Sequence, residues 1–239
     1  MPDPVGNDET LDVLGGVVQI IQKKKGYRLS LDPLLLANFL VLKAKETLLD
    51  VGTGCGIIPI YLANRGYGNR LVGIEIQDDL YELCVRNKEL NRCTNVEFVR
   101  GDIRAPGRTL GSFHVVVSNP PYVKVRTGRA CPEPSRFIAR SEASLDLQTL
   151  ISIASSRLYT HGRLYLIYPV RRLSDVMSLT RSGGLEPRRM RFVHSRHTDP
   201  AVLALVECVK GGGVNFVVEP PLYLYSNNDY TQEVKAYYA

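Results

Sequence analysis

The stretch Asn119-Pro120-Pro121-Tyr122 carries residue types that can hold a planar amine for reaction. It follows an apolar run, Phe113 to Ser118, that predicts a buried strand. Two consecutive prolines remove two backbone donors and keep the chain extended. The Asn119 amide and the Pro120 carbonyl can then accept both hydrogens of an exocyclic amine, which orients the nitrogen lone pair and stabilises developing positive charge. Tyr122 can stack on a flat target, so we expect these four residues to be catalytic.

Asp50, Glu75 and Asp102 each end a run of residues that predicts a buried strand. In an open α/β sheet, ligands bind in the crevice beyond the carboxyl ends of the strands. Three successive strands that each end in a carboxylate therefore predict one acidic rim. An acid in the position of Glu75 can take both hydroxyls of a ribose, as it does in dinucleotide enzymes.

A glycine loop follows Asp50 in the pattern Asp-x-Gly-x-Gly-x-Gly. Glycine permits positive φ and lets a ligand approach the main chain closely. The dinucleotide fingerprint Gly-x-Gly-x-x-Gly is excluded, because Ile57 and Pro59 stand where it requires glycine. A phosphate loop is excluded as well, because no Lys-Ser/Thr pair follows. The loop therefore indicates a ligand without a pyrophosphate.

Strand and helix patterns alternate along the chain, which predicts a doubly wound α/β sheet that is mostly parallel. Helices are predicted after the glycine loop to about Arg65, to about Asn91, over Ser144–Leu158 and over Leu173–Thr180. Strands are predicted at Leu48–Asp50, Leu71–Glu75, Val96–Asp102, Phe113–Ser118, Arg163–Tyr168, Arg188–His194 and Val202–Val209, the last two as an antiparallel pair.

The segment before the first buried strand predicts a hairpin followed by a helix. The strands of the hairpin are expected at Val17–Ile21 and Tyr27–Leu29, around a lysine-rich turn. The helix is expected over Ser30–Leu42, with Asp32 as its cap and Pro33 at the first helical position.

Length and composition indicate one ordinary globular domain. The chain has 239 residues, of which 44% are hydrophobic and 23% are charged. We expect residues 1–10 to be disordered and residues 11–239 to form a single domain, with 11–46 as an N-terminal addition.

The five cysteines show neither a C-x-x-C pair nor metal-ligand spacing, which indicates a reducing compartment and no metal site. The sequence contains neither a signal peptide nor an apolar run long enough to span a membrane. We therefore expect a soluble cytoplasmic protein.

The net charge of +6 favours a polyanionic partner. Two basic segments could contact a nucleic acid backbone, the broken polar stretch 123–140 and the strand region 188–197. The alternatives are a solvated connector for the first segment and a strand with one solvated face for the second. The candidate contacts are Lys124, Arg126, Arg129, Arg136, Arg140, Arg189, Arg191 and Arg196.

Asp50 to Gly56 resembles motif I, and Asn119 to Tyr122 resembles motif IV, of the S-adenosylmethionine-dependent amino-methyltransferases. Over nearly the whole chain the sequence resembles the bacterial tRNA(Val) adenine-37 N6-methyltransferases. That wider resemblance also rests on Gly26 to Pro33, Glu75, Asp102, Lys210-Gly211-Gly212 and Pro220-Pro221-Leu222-Tyr223.

The resemblance implies a class I methyltransferase fold, Rossmann-like, with a seven-stranded mostly parallel sheet, helices on both faces and an antiparallel last strand. It implies S-adenosylmethionine as cofactor, tRNA as partner and methyl transfer to N6 of an adenine. It assigns cofactor contacts to Arg28, Ser30, Asp50, Gly52, Thr53, Gly54, Gly56, Glu75, Ile76, Asp102, Ile103 and Asn119.

Other substrates remain open for the same chemistry. A glutamine N5-methyltransferase of release factors also carries Asn-Pro-Pro-Tyr, but that family is expected to precede its motif I with a helical bundle. An rRNA guanine-N2 or DNA adenine-N6 enzyme is a further alternative. A non-catalytic RNA-binding protein on a methyltransferase scaffold is disfavoured by the presence of all three rim acids and Asn119.

Overall fold

The structure is a computed structural model that describes residues 5–25, 30–105, 110–121 and 145–238. The strands are β1 (Glu9–Leu14), β2 (Val18–Lys23), β3 (Leu48–Val51), β4 (Leu71–Glu75), β5 (Val96–Arg100), β6 (Phe113–Ser118), β7 (Leu158–Pro169), β8 (Leu185–His194), β9 (Ala201–Lys210), β10 (Val217–Val218), β11 (Leu222–Tyr223), β12 (Tyr225–Ser226) and β13 (Asp229–Tyr230). The helices are α1 (Asp32–Phe39), α2 (Ile57–Asn64), α3 (Asp78–Leu90), α4 (Leu147–Arg157), α5 (Leu173–Ser182) and α6 (Gln232–Ala236), with a 3₁₀ turn at Val170–Arg172.

Seven long strands form the central sheet in the order β5-β4-β3-β6-β7-β9-β8. Neighbouring strands from β5 to β7 are parallel, and β9 is antiparallel to both β7 and β8. This confirms the expected mostly parallel sheet, in which β9, one strand of the predicted final pair, is antiparallel to its neighbours. The short strands β10 and β11 extend the sheet beyond the prediction, because both pair with the outer edge of β8.

Both faces of the sheet are buried, as continuous apolar runs in its strands predict. Leu48 of β3 packs on the face covered by α1, α2 and α3, whereas its neighbour Leu49 packs on the face covered by α4 and α5. In β4 the same alternation separates Leu71 from Val72. Helices on both faces are thus confirmed.

The N-terminal hairpin is formed by β1, which the sequence did not predict, and by β2, which overlaps the strand predicted at Val17–Ile21. Its turn lies at Gly15 and Gly16, which adopt φ of 58° and 71°. The strand expected to be first is therefore the second, and the expected second strand, 27–29, lies outside the described residues. Two adjacent glycines adopt positive φ without strain, which favours a tight turn at Gly15 and Gly16.

The start of β1 corrects the expectation of a disordered segment up to residue 10. Glu9 is 5% exposed, and its carboxylate accepts two hydrogen bonds from the Arg86 guanidinium of α3, at 2.8 and 2.7 Å. This contact holds the pKa of Glu9 down at about 2. Residues 1–4 lie outside the described part of the chain.

Helix α1 is shorter than predicted and begins differently. Leu31 is its N-cap, Asp32 is its first residue, and no side-chain cap hydrogen bond forms. The carboxylate of Asp32 still lies in the first turn, where it interacts favourably with the helix dipole. The helix ends at Phe39, three residues before the expected Leu42.

Candidate active site

The predicted rim forms where β3, β4, β5 and β6 end side by side. Asp50 is aligned with Gly73 of β4 and with Val117 of β6, and Glu75 is aligned with Arg100 of β5. The registers bring Asp50 and Glu75 to one edge of the sheet and make Asn119 follow the strand next to Asp50.

The glycine loop after β3 adopts the conformation that its sequence predicts. Gly52, Gly54 and Gly56 have φ of 71°, 63° and 85°, in the region that side chains rarely adopt. The loop is fixed to the next strand, because the N–H groups of Gly52 and Thr53 both donate to the carbonyl of Ile74, at 3.0 and 3.1 Å.

Phe98 of β5 fills the space under this loop, and sequence reasoning missed it. A Cβ added at Gly56 would lie 2.5 Å from the Phe98 ring, and one added at Gly73 would lie 2.8 Å from it. Both glycines are therefore needed for the ring to pack. A glycine inside a buried strand, as at Gly73, is the signal that could have indicated such a close approach.

Asp50 is buried, with 1% of its surface exposed, and its Oδ2 accepts a hydrogen bond of 2.6 Å from the Thr53 hydroxyl. Burial raises the pKa of Asp50 to about 7. The Thr53 hydrogen bond opposes this shift and the negative charge of Glu75 adds to it. Such a site disfavours an isolated carboxylate and favours a cationic ligand beside it.

Glu75 is also buried, and backbone N–H groups fix both of its carboxylate oxygens. Oε2 accepts from Gly54 at 2.9 Å, and Oε1 accepts from Ile76 and Gln77 at 3.0 Å each. Burial raises the pKa of Glu75, and these hydrogen bonds act against that rise. The carboxylate is therefore held in one orientation at the rim, and the side chain of Ile76 is 36% exposed beside it.

Asp102 lies just after β5 and is more exposed than the other two acids. Its carboxylate pairs with the Arg104 guanidinium at 2.7 Å, and this contact lowers the pKa of Asp102. The next residue, Ile103, is partly buried and packs against the apolar layer under α4 and α5. A ligand amine at Asp102 would share the carboxylate with Arg104.

Ser118 ties the end of β6 to the end of β3, and sequence reasoning missed it too. Its hydroxyl is buried and donates to the carbonyl of Val51 at 2.8 Å. Asn119 follows at once and is half-buried, Pro120 is buried and Pro121 is exposed. The corner of β6 is therefore anchored beside the start of the glycine loop.

Several predicted site residues lie outside the described part of the chain. They are Arg28, Tyr122, Lys124, Arg126, Arg129, Arg136 and Arg140. Ser30 is described and is exposed two residues before α1.

The two β8 arginines predicted to contact a nucleic acid, Arg189 and Arg191, are both paired with carboxylates of the protein and only partly exposed. Arg189 pairs with Glu207 and Glu219, each at 2.8 Å, and its guanidinium lies 4.1 Å from the centre of the Phe39 ring. Arg191 makes two contacts with the carboxylate of Glu233, at 2.5 and 2.9 Å. These contacts give both side chains a structural role, and their predicted contact with RNA stays a prediction.

Arg196 differs from these two, because it is exposed in the turn between β8 and β9. Its guanidinium lies 5.8 Å from the ring centre of Tyr225. Of the three arginines predicted in this region, it is the one that the fold leaves accessible.

Among the described residues, no group of three or more His, Cys, Asp or Glu side chains could hold a metal ion. None of the helices in the described ranges is both long and apolar enough to cross a membrane.

The sheet order, the glycine loop and the acidic rim define a class I methyltransferase, whose methyl donor is S-adenosylmethionine. The chain belongs to the family described as Methyltransferase small domain, whose model matches residues 31–172. The crystal structure of a predicted O-methyltransferase from Agrobacterium tumefaciens aligns with a TM-score of 0.68 at 24% identity, over 86% of this chain and 94% of that one. This likeness shows the fold.

Curated relatives carry two kinds of name. A tRNA1(Val) (adenine(37)-N6)-methyltransferase from Tolumonas auensis is 27% identical over 78% of each chain. A protein of the same name from Porphyromonas gingivalis is 35% identical over 65% of this chain and 59% of its own length. A release factor glutamine methyltransferase from Aliivibrio fischeri is 30% identical over 51% of this chain and 42% of its own length.

Proposed function

We propose that this protein transfers a methyl group from S-adenosylmethionine to N6 of an adenine in tRNA, adenine 37 of a valine tRNA. The observation that carries the proposal is the anchored corner at Ser118, which sets Asn119-Pro120 beside the glycine loop. The relatives that match most of this chain bear names for the same reaction. Such a substrate would place the reaction in the cytoplasm.

The residues of the rim fit the cofactor. Asp50 would accept hydrogen bonds from its ammonium group, because a buried carboxyl with a raised pKa gains most from a cation. Glu75 would accept from the ribose hydroxyls, and Asp102 from the adenine amine beside Ile103. Gly52, which has open space where a Cβ would stand, lets the ligand approach the main chain. When bound, the cofactor supplies an electrophilic methyl group on its sulfonium.

Asn119 and the Pro120 carbonyl would accept the two hydrogens of the target amine. This contact turns the nitrogen lone pair toward the methyl group and stabilises positive charge as it develops on nitrogen. Tyr122 would stack on the base, and the methylated ammonium would lose its proton without the help of a strong base. A base in a tRNA loop is already unpaired, so most of the cost of flipping it out of a duplex is avoided.

Contacts with the RNA backbone are proposed for Arg196 and for Lys124, Arg126, Arg129, Arg136 and Arg140. The first is exposed in the turn between β8 and β9, and the other five belong to the sequence segment 123–140 that follows the tetrapeptide. Lys and Arg at such places position a nucleic acid through its phosphates without reading its sequence.

The second candidate is glutamine methylation of release factors, which the name of the Aliivibrio relative favours. A side-chain amide is planar, as an exocyclic base amine is, and the same acceptors would hold it. Two observations support tRNA over this substrate. The chain spans only 42% of that relative, and residues 9–23 form a hairpin where a helical bundle would be expected.

The deciding experiment is transfer of a labelled methyl group to total tRNA, total rRNA and release factor, followed by nucleoside or amino-acid analysis. We expect N6-methyladenosine in tRNA. Label in release factor glutamine alone would overturn the tRNA proposal and leave the amine chemistry intact.

Asn119→Ala should abolish transfer and change the cofactor dissociation constant by no more than a few-fold. The reason is that Asn119 acts on the target amine and the acids of the rim act on the cofactor. Unchanged turnover in this variant would contradict the role of Asn119, whichever substrate is labelled.

A further inference from the structure

The buried face of α3 holds two successive carbonyls of the glycine loop. The Cys84 thiol donates to the carbonyl of Gly54 at 2.9 Å, and the Asn87 amide donates to the carbonyl of Cys55 at 3.0 Å. Residues three apart in a helix lie on the same face, so both side chains reach the loop together. Each is 0% exposed. The N–H of Gly54 is also fixed, by Glu75, so side chains hold the two peptide groups on either side of the Gly54 Cα.

Asn87 also holds the N-terminal hairpin. Its Oδ1 accepts from the N–H of Ile21 at 2.7 Å, and its Nδ2 donates to the carbonyl of the same residue at 3.0 Å. The amide of Asn87 therefore bridges β2 and the glycine loop. Because the contacts of Asn87 with β2 and with the glycine loop are both buried, neither segment can move away from Asn87 without leaving polar groups unsatisfied.

Asn91, one turn later in α3, provides an internal comparison. It accepts from the N–H of Gln19 at 2.9 Å and donates to the carbonyl of Gln19 at 2.6 Å. Asn91 thus makes the same pair of contacts with β2 that Asn87 makes two residues further along the strand. Asn91 is partly exposed, and its amide donates in addition to the helix carbonyl of Asn87, whereas the additional contact of Asn87 is with the glycine loop.

We propose that Cys84 and Asn87 are positioning residues for the cofactor, and that the hairpin β1–β2 supports the cofactor site through Asn87. The inference rests on the proposed function, because the glycine loop is where the cofactor would bind. The two side chains fix the direction of consecutive peptide groups in a segment whose three glycines would otherwise make it the most flexible part of the rim. A loop that is already in its binding conformation loses less entropy when the ligand binds.

The test compares Asn87→Ala with Asn91→Ala in the full chain. Calorimetry would measure the dissociation constants of S-adenosylmethionine and S-adenosylhomocysteine well below the melting temperature. Asn87→Ala should weaken both by about tenfold, the effect of roughly one buried hydrogen bond on the loop. Asn91→Ala should stay within about twofold of the wild type, although both variants lose two contacts with the hairpin.

A second readout separates positioning from loss of folded protein. At saturating cofactor, Asn87→Ala should recover a kcat within a few-fold of the wild type, because Ser118 anchors the Asn119 corner to β3. A loss of folded protein would instead lower kcat and leave the dissociation constant unchanged. Equal changes in the affinity of the Asn87 and Asn91 variants would overturn the proposal.

A pair of variants at Cys84 decides the matter if Asn87→Ala does not fold. Cys84→Ala removes the donor to Gly54 and should weaken cofactor binding several-fold, whereas Cys84→Ser keeps a donor and should restore it. Wild-type affinity in Cys84→Ala would overturn the proposal. If the wild-type protein itself bound neither cofactor nor its product, the failure would lie with the proposed function.

Discussion

Asp50 is expected to make the ligand-free protein less stable at neutral pH than an uncharged side chain would. Burial raises the pKa of this carboxyl to about 7 in the folded protein, against an ordinary value of 3.8. Asp50→Asn removes the charge and keeps an oxygen that can accept from the Thr53 hydroxyl. The variant should therefore be more stable than the wild type above pH 7.

The direction of the effect follows from proton binding. Between about pH 4 and pH 7 the folded protein binds more protons at Asp50 than the unfolded chain does, so the free energy of unfolding falls as pH rises. The cost is absent below about pH 4 and complete above about pH 7. A difference of about three pKa units corresponds to about 4 kcal/mol at 1.36 kcal/mol per unit, which is an upper value for the gain. Burial raises the pKa of Glu75 as well, but this acts in both proteins.

Urea unfolding of ligand-free wild type and Asp50→Asn at pH 5, 6, 7 and 8 would measure the difference. We expect the two curves of stability against pH to diverge as pH rises, and the affinity of the variant for the cofactor to fall. Asp102→Asn is the matched control, because Arg104 lowers the pKa of that carboxyl and removal of its charge should bring no gain. Parallel curves for the wild type and Asp50→Asn would refute the reasoning.

Two further predictions concern the corner of β6 and the basic residues. Ser118→Ala removes the hydrogen bond to Val51 and should cost about 1 kcal/mol in urea unfolding, while the displaced Asn119 lowers kcat by tenfold to about a hundredfold. A normal kcat would show that the anchor does not position the corner. Arg189→Ala should destabilise the protein by about 3 kcal/mol and leave the salt dependence of RNA binding unchanged, whereas Arg196→Ala should reduce that salt slope by about one. Filter-binding titrations at several salt concentrations would measure the salt slope of each variant. Equal slopes in the two variants would contradict the assignment.

The parts of the fold that the sequence predicted are those fixed by local pattern. Strands β4 and β6 have the predicted bounds, because each is buried on both faces and ends at a polar residue. The acids follow from the same pattern, since a carboxylate at the end of a buried strand must come to the rim. The chain pattern does not reveal Phe98 as the ring beneath the glycine loop, because its neighbours Gly56 and Gly73 meet only in the folded sheet.

The hairpin was mispredicted because two glycine-containing turns competed for one strand. A pattern of alternating residues at 17–21 pairs equally well with a segment before it or after it. The structure pairs it with residues 9–14, where the turn has two glycines and Glu9 finds Arg86. The contact between Glu9 and Arg86 of α3 spans 77 residues of the sequence, and no local pattern predicts it.

The sequence left the basic strand open between an RNA contact and a strand with one solvated face, because a count of charges does not show their partners. β8 lies beside β9 and next to the C-terminal segment, and these neighbours supply carboxylates that are 18, 30 and 42 residues distant from the arginines they pair with. The sequence alone does not show these ion pairs, because they depend on the position of β9 between β7 and β8 in the folded sheet. Arg189 and Arg191 therefore balance carboxylates of the protein itself, and we expect the positive charge for the proposed RNA substrate to come mainly from other residues. On this reasoning we expect the salt dependence of binding to the proposed tRNA substrate to depend on Arg196 and on the basic residues of the segment that follows Asn-Pro-Pro-Tyr.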